Sequence, residues 1–256
     1  MTPLHYTLAA LAAFAAGAVN ALAGGGTLIT FPTLTALGLP AVTANITSTV
    51  SLFPGYFGAT WAQHGDLKGQ GKRLKYLLPA AAAGGLLGGI FLLLSGEKLF
   101  KQLVPFLILF ATMLLALSEP LRKRLARKPK EGDGRLKRSF LIAIPAILIA
   151  AIYGGYFGAG LSIIVLAFLA LLFEDSLTRL NALKQAIAFA TNSAAAIFFL
   201  FSGQVNWGIA GVMAVSALLG GAAGGRLAGR VNPTVLRWIV VGIGLTVSVI
   251  FFIQTF

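Results

Sequence analysis

A small set of polar side chains lies inside otherwise hydrophobic stretches of the sequence. The set comprises Asn45, Thr49, Asn181, Lys184, Gln185 and Asn192. Asn45 and Thr49 share one helical face at a spacing of four residues, and so do Asn181 and Gln185. A buried lysine such as Lys184 suits an anion better than any other ligand. These residues are therefore predicted to contact an anionic substrate, although Lys184 at the start of a helix could instead reach back to a lipid–water interface.

Two glycine-rich breaks interrupt long hydrophobic stretches just before these polar residues. The first comprises Gly24, Gly25, Gly26 and Thr27, and the second comprises Gly158, Gly160 and Ser162. An opened helix end presents free N–H groups and the positive end of the helix dipole, which together favour an anion. We expect the two breaks to face each other and to complete the substrate site. The alternative is that these glycines only allow two helices to cross closely.

Other chemistry finds little support in the sequence. All seven acidic residues fall in predicted loops or at the ends of hydrophobic stretches, which argues against an acidic channel ring or a carboxylate proton relay. There is no cysteine, and the two histidines, His5 and His64, belong to no metal-binding motif. No nucleophile with a matching base is visible, so neither an enzyme nor a bound cofactor is expected.

The composition places the chain in a lipid bilayer. Of its 256 residues 57% are hydrophobic and 11% are charged, and the mean hydropathy is +0.88. A hydrocarbon core about 30 Å thick takes roughly 20 apolar residues per helix, which leaves room for about eight spans. The predicted fold class is therefore all-α, a polytopic membrane protein with about eight transmembrane helices.

The expected spans follow the hydrophobic stretches. They cover residues 4–37, 42–62, 76–95, 99–118, 139–172, 180–201, 206–228 and 233–255, and the first and fifth are long and broken by glycine. The net charge of +13 sits between these stretches, which indicates membrane topology rather than nucleic-acid binding. The basic linker 121–138 and the cluster 68–75 are expected in the cytoplasm, with both termini on the same side. Arg226, Arg230 and Arg237 are expected on the opposite side.

The two halves of the chain repeat several features in the same order. The glycine breaks correspond, Asn45 recurs as Asn181, Gly65 recurs as Gly203, and 84–89 recurs as 220–225. The predicted units are two four-helix repeats, 1–120 and 139–256, joined by the linker 121–138. An even number of spans per unit predicts parallel halves, and a re-entrant segment after Gly26 would change that relation.

A family resemblance accompanies these features. The stretches 23–32 (AGGGTLITFP), 37–40 (LGLP) and 44–49 (ANITST) resemble the sulfite exporter TauE/SafE family, and 181–185 (NALKQ) and 202–207 (SGQVNW) resemble its second repeat. The resemblance implies a transporter in the inner membrane of a prokaryotic cell for sulfite or small organosulfur anions such as sulfoacetate. In this chain the second break lacks the proline that follows the first, and Gln185 stands where many relatives are expected to have asparagine.

The leading hypothesis is a secondary transporter, an exporter by the role that the resemblance implies, that works by alternating access around the two breaks. Its partners would be the small anion and membrane lipid, with no nucleic acid, and a homo-oligomer stays open. A passive anion channel would instead need a continuous polar pathway. A non-transporting accessory protein would show no solute-specific defect when Lys184 or the break glycines are changed.

Overall fold

The structure is a computed structural model that describes residues 2–22, 24–125, 135–227 and 233–256. The helices are α1 (Pro3–Leu22), α2 (Thr27–Ala36), α3 (Ala41–Ala62), α4 (Gly71–Leu125), α5 (Arg135–Tyr156), α6 (Leu161–Leu172), α7 (Leu177–Leu200), α8 (Trp207–Leu227) and α9 (Pro233–Thr255). A short 3₁₀ helix, His64–Leu67, follows α3. No strand occurs in the described ranges. The predicted all-α class is confirmed.

Helix α4 consists of two helical segments. Its 55 residues would reach about 80 Å at 1.5 Å per residue, more than twice the thickness of a hydrocarbon core. Gly96 interrupts it with a φ of 66°, a conformation that glycine adopts readily. We call residues 71–95 α4a and residues 97–125 α4b. The Glu97 carboxylate at this turn accepts hydrogen bonds from the amides of Ala41 and Val42 and so caps the start of α3.

Six helical stretches are long and apolar enough to cross a membrane. They are Pro3–Ala21, Gly71–Glu119, Ser139–Tyr156, Leu177–Leu200, Trp207–Gly224 and Thr234–Thr255. The 49-residue stretch contains the Gly96 turn and so matches the two spans expected at 76–95 and 99–118. Helix α3 matches the span expected at 42–62 in its bounds, although it is not among the six. The count of eight spans stays a prediction.

Each glycine break reverses the chain. A Cβ built at Gly26 would lie 2.6 Å from the Ala16 carbonyl oxygen, which places Gly26 beside the body of α1 rather than beyond its end. The second short helix, α6, returns to the start of α5, where the Phe140 and Phe173 rings pack 5.3 Å apart. The expectation of two single long spans, 4–37 and 139–172, is therefore wrong. Hydropathy records how apolar a stretch is and carries no information about its direction.

Close approaches between helices establish their directions. Helices α1, α3 and α8 run parallel to one another, as shown by the pairs Phe14–Gly220, Ala18–Gly224, Thr47–Asn206 and Gly55–Ala217. Helices α4a, α5 and α7 also run parallel to one another, as shown by Gly84–Leu148, Gly88–Ile152, Gly85–Thr191 and Gly89–Phe199. Helix α3 is antiparallel to α7, as shown by the pairs Gln63–Asn181 and Phe53–Phe189.

It follows that α1 and α5, which open the two halves, are antiparallel. The expectation of parallel halves is wrong, because the short helix that folds back after each break adds one reversal to each half. A re-entrant segment after Gly26 was the alternative that would make the two halves antiparallel.

The basic clusters lie together at one end of the bundle, which we call the basic end. Arg73 pairs there with Asp175, and Arg237 pairs with Glu119 at the far end of α4b. The expectation that Arg237 lies on the opposite side is therefore wrong. Arg230 and residues 126–134 of the basic linker fall outside the described residues.

Both chain ends lie at the opposite end of the bundle. Tyr6 contacts Gly208 at the start of α8, and Phe256 packs against Phe106 near the Gly96 turn. The termini therefore do not share a side with the basic loops, contrary to the expectation from counting spans. The fold-back helices again account for the difference.

Candidate substrate site

The two glycine breaks are adjacent in the fold. A Cβ built at Gly24 would lie 3.5 Å from the Ser162 Cβ, and one built at Gly158 would lie 3.9 Å from the Thr27 Oγ1 atom. Gly24 and Gly158 both have a φ of 82°, in the left-handed region that allows the chain to reverse without a side-chain clash. Each break thus contacts the hydroxyl residue that follows the other.

Both short helices begin at this contact. Gly26 and Gly160 are the N-cap residues of α2 and α6, and as glycines they supply no side-chain cap. The Gly26 amide donates instead to the Asn20 Oδ1 atom of α1. The amides of Gly25 and Ser162 donate no hydrogen bond to another described residue. A negative charge at such a helix end is stabilised by about 0.3–1 kcal/mol, and more where the site is partly buried. Two helix ends that meet therefore favour an anion.

Asn45 joins α3 to the second break. Its side chain is fully buried, and its Nδ2 atom donates a hydrogen bond of 2.9 Å to the carbonyl oxygen of Tyr156, the last residue of α5. Its Oδ1 atom is buried without a hydrogen-bond partner. Thr49 turns its hydroxyl to the Asn45 carbonyl oxygen at 3.0 Å, so that hydroxyl is already used within α3.

Lys184 is buried within α7. Its side chain is 8% exposed, and it makes no hydrogen bond or ion pair with any described residue. A buried ammonium group without a counter-charge is costly in a bilayer, so such a group is a candidate for binding an anion. Gln185 beside it is 2% exposed, and its side chain also makes no hydrogen bond with a described residue.

Two of the predicted residues have their amide nitrogens engaged away from the breaks. The Asn181 Nδ2 atom donates 2.8 Å to the Gln63 Oε1 atom near the basic end. The Asn192 Nδ2 atom donates 2.8 Å to the Ala188 carbonyl oxygen within α7.

A cavity of about 430 Å³ lies between α1, α3 and α8 and reaches Gln185 of α7. Three further polar residues line it, Asn20, Tyr56 and Gln63, and sequence reasoning did not select them. Asn20 also accepts a hydrogen bond of 2.8 Å from the Gly26 amide, which connects the cavity wall to the first break. The signal for Asn20 was its position as a polar residue within the first hydrophobic stretch.

An ion-pair network closes the basic end beside α7. Asp175 contacts Arg73 at 2.5 Å and Arg179 at 2.8 Å. Burial alone would raise the pKa of Asp175, but the hydrogen bonds from Arg73 and Arg179 outweigh it, so the pKa is lowered from its ordinary value. The Arg73 guanidinium also lies over the Phe173 ring. This network ties the start of α4a to the link between α6 and α7.

Three curated proteins resemble the chain along most of its length, and each is named a probable membrane transporter protein. The protein of Haemophilus influenzae is 26% identical over 89% of this chain and 87% of its own length. The ORF9 protein of a Sinorhizobium species is 27% identical over 93% and 89%. The YfcA protein of Escherichia coli K12 is 25% identical over 97% and 90%. No solved structure matches the chain significantly.

A family model settles the resemblance seen in the sequence. The model described as sulfite exporter TauE/SafE matches residues 9–251, which is nearly the whole chain. This family-level match, together with the apolar helices, makes the chain a multi-pass membrane protein of a transporter family. The chain belongs to the sulfite exporter TauE/SafE family.

Proposed function

We propose that this protein is a secondary transporter that exports a small sulfur-containing anion, either sulfite or an organosulfur anion such as sulfoacetate. The observation that carries the proposal is the contact between the two breaks, because it brings together two helix N-termini whose N-cap residues are glycines. The proposed contacts are Gly24, Gly25, Gly26, Thr27, Asn45, Thr49, Gly158, Gly160, Ser162, Asn181, Lys184, Gln185 and Asn192. Asn181 and Asn192 would have to exchange their present hydrogen bonds to take part.

Lys184 supplies the positive charge in this proposal. Its ammonium group has no carboxylate partner among the described residues, so a bound anion would be its counter-charge. The helix ends and Lys184 would together select a negative ligand, while the free Asn45 Oδ1 atom could accept a hydrogen bond from a protonated oxyanion.

The proposed architecture is two repeats, 1–120 and 139–256, with the linker 121–138 between them. The antiparallel α1 and α5 support repeats of inverted topology, and matching contacts join the halves because α1 packs on α8 as α5 packs on α4a. Inverted repeats allow one half to close as the other opens, which is the usual basis of alternating access.

The proposed orientation places the basic end in the cytoplasm and the protein in the inner membrane. Lys68, Lys72, Arg73 and Lys75 lie at that end together with Arg237, and lysine and arginine are retained on the cytoplasmic side of membrane proteins. Both termini would then face away from the cytoplasm. Outward movement of an anion from a cell that is negative inside releases about 2.3 kcal/mol per charge for each 100 mV, so export needs no carboxylate relay.

Transport by purified protein in liposomes tests the proposal. The substitution Lys184→Met removes the charge and keeps an apolar side chain of similar length. It should slow efflux of labelled sulfite or sulfoacetate roughly tenfold to a hundredfold, the usual effect of losing a hydrogen bond to a charged group. Lys101→Met, an exposed lysine of α4b, is the matched control and should transport normally. Equal efflux by both variants, or currents typical of an open channel, would contradict the proposal.

A further inference from the structure

The exposed face of α4a changes along its length from lysine to tyrosine to apolar side chains. Lys72, Lys75 and Tyr76 are exposed in its first two turns, at the basic end. The apolar part of the same face consists of large exposed side chains, Leu86, Leu87, Phe91 and Leu94. Tyr76 and Leu94 are separated by about 27 Å at 1.5 Å per residue, close to the thickness of a hydrocarbon core. This face therefore matches a lipid bilayer, with the two lysines at the level of the lipid headgroups.

The lysines at this end have no counter-charge within the protein. Lys68, Lys72 and Lys75 are exposed, and they make no ion pair or hydrogen bond with any described residue. The carboxylate of Asp175 is already shared by two arginines. Asp66 lies in the same region but forms no ion pair with a described residue. The surface is therefore open to an anion from outside the chain.

The position of Lys72 and Lys75 in their helix is unfavourable in the protein alone. The first turn of α4a contains no acidic residue, although the positive end of a helix dipole favours carboxylates and disfavours lysines. Lysines three residues apart on one helix also repel each other. Tyr76 packs 5.6 Å from Phe140 of α5, and the first turn of α5 contains no acidic residue either. An anion bound here would relieve both unfavourable interactions.

We propose that Lys68, Lys72, Lys75 and Tyr76 form a surface that binds the phosphate of an anionic phospholipid. The phosphate supplies the counter-charge for the lysines, and the acyl chains lie along the apolar face of α4a. Lysines near a membrane surface attract anionic lipids, and tyrosine is enriched at the headgroup level. A free phosphate ion fits less well, because exposed charges bind one another only weakly in water. The inference does not depend on which anion the protein transports.

Thermal unfolding of the purified protein in detergent, with added phosphatidylglycerol or phosphatidylcholine, tests this surface. Phosphatidylglycerol should raise the unfolding temperature more than phosphatidylcholine does, because a lipid that binds the folded state stabilises it. Lys72→Gln/Lys75→Gln should raise the phosphatidylglycerol concentration needed for half of this effect at least about tenfold. Lys72→Arg/Lys75→Arg keeps both charges and should respond as the unchanged protein does.

A matched control removes two charges elsewhere on α4. Lys98 and Lys101 are exposed lysines near the Gly96 turn, at the opposite end of the bundle. Lys98→Gln/Lys101→Gln should leave the response to phosphatidylglycerol unchanged. Lys75→Gln alone serves if the first pair does not fold, and it should weaken the response about fivefold.

Three results would overturn the proposal. The unchanged protein would respond equally to the two lipids, or Lys72→Gln/Lys75→Gln would respond as the unchanged protein does, or both glutamine pairs would lose the response equally. Competition by millimolar inorganic phosphate would also overturn it, since a soluble anion rather than a lipid would then occupy the surface. Efflux of labelled sulfite is measured separately, so failure of the lipid surface leaves the proposed transporter intact.

Discussion

The packing of α4a on α7 and the packing of α3 on α8 are matching contacts in the proposed repeats, yet they differ in closeness. A Cβ built at Gly85 of α4a would lie 2.2 Å from the Thr191 carbonyl oxygen of α7, which leaves no room for a side chain. Cβ atoms built at Gly55 and Gly58 of α3 would lie 3.9 Å and 3.6 Å from their nearest neighbours on α8. The α3–α8 interface borders the cavity, whereas the α4a–α7 interface has no space between its helices.

The difference indicates which part of the bundle can move. A helix pair in backbone contact behaves as one rigid unit, because packed interiors deform little. The α3–α8 pair has room to approach further, since the cavity of about 430 Å³ lies along it. If α3 and α8 moved together to close the cavity, their packing would become as tight as the packing already present between α4a and α7.

Thiol labelling should give the largest contrast between the two interfaces. The chain contains no cysteine, so a single introduced thiol can be followed without background. Ala59→Cys on the cavity wall should react with an anionic methanethiosulfonate reagent at least about tenfold faster than Thr191→Cys, because Thr191 is fully buried on α7 against Gly85 of α4a. Equal rates at the two positions would remove the distinction between an open and a closed interface.

Adding one methyl group should distinguish the two interfaces by stability. Gly85→Ala forces a side chain against the Thr191 carbonyl oxygen and should destabilise the protein by about 1–3 kcal/mol, the usual effect of overpacking. Gly58→Ala adds only an ordinary contact and also favours the helix, so the free energy of unfolding should be unchanged or raised. Thermal unfolding of both variants in the same detergent checks this. A larger loss for Gly58→Ala would mean that the α3–α8 side is the closed one.

The sequence predicted the helices better than their arrangement. The bounds expected for α3, α7 and α9 lie within a few residues of those observed, because an apolar stretch flanked by polar residues defines a span. The reversal at Gly26 could not be predicted from composition, since it depends on a contact with Ala16 that only the folded chain makes. The expected spans included no reversal at either break, so the termini and Arg237 were predicted at the wrong ends of the bundle.

At the candidate site, the sequence likewise predicted which side chains are buried better than it predicted their hydrogen-bond partners. Lys184, Gln185 and Asn45 were selected because polar groups inside a hydrophobic stretch are costly, and all three are buried. Asn181 belonged to the same pattern, but its amide nitrogen is directed to Gln63 near the basic end. Periodicity places residues on a helical face, whereas the partner of each side chain depends on the neighbouring helix.

The ion-pair network around Asp175 should give the smallest effect, and it tests whether the basic end holds α4a and α7 together. Because the pKa of Asp175 is lowered in the folded protein, its carboxylate stabilises the fold above the unfolded-state pKa, about 4, and this stabilisation is lost as the pH falls through the folded-state value. Asp175→Asn should therefore lower stability at pH 7 by about 1 kcal/mol and flatten the loss of stability on acidification. Thermal unfolding between about pH 3 and 7 measures both effects, with Asp66→Asn at the same end as the control. An Asp175→Asn variant with the acid sensitivity of the unchanged protein would show that packing at Gly85, rather than these charges, keeps the α4a–α7 interface closed.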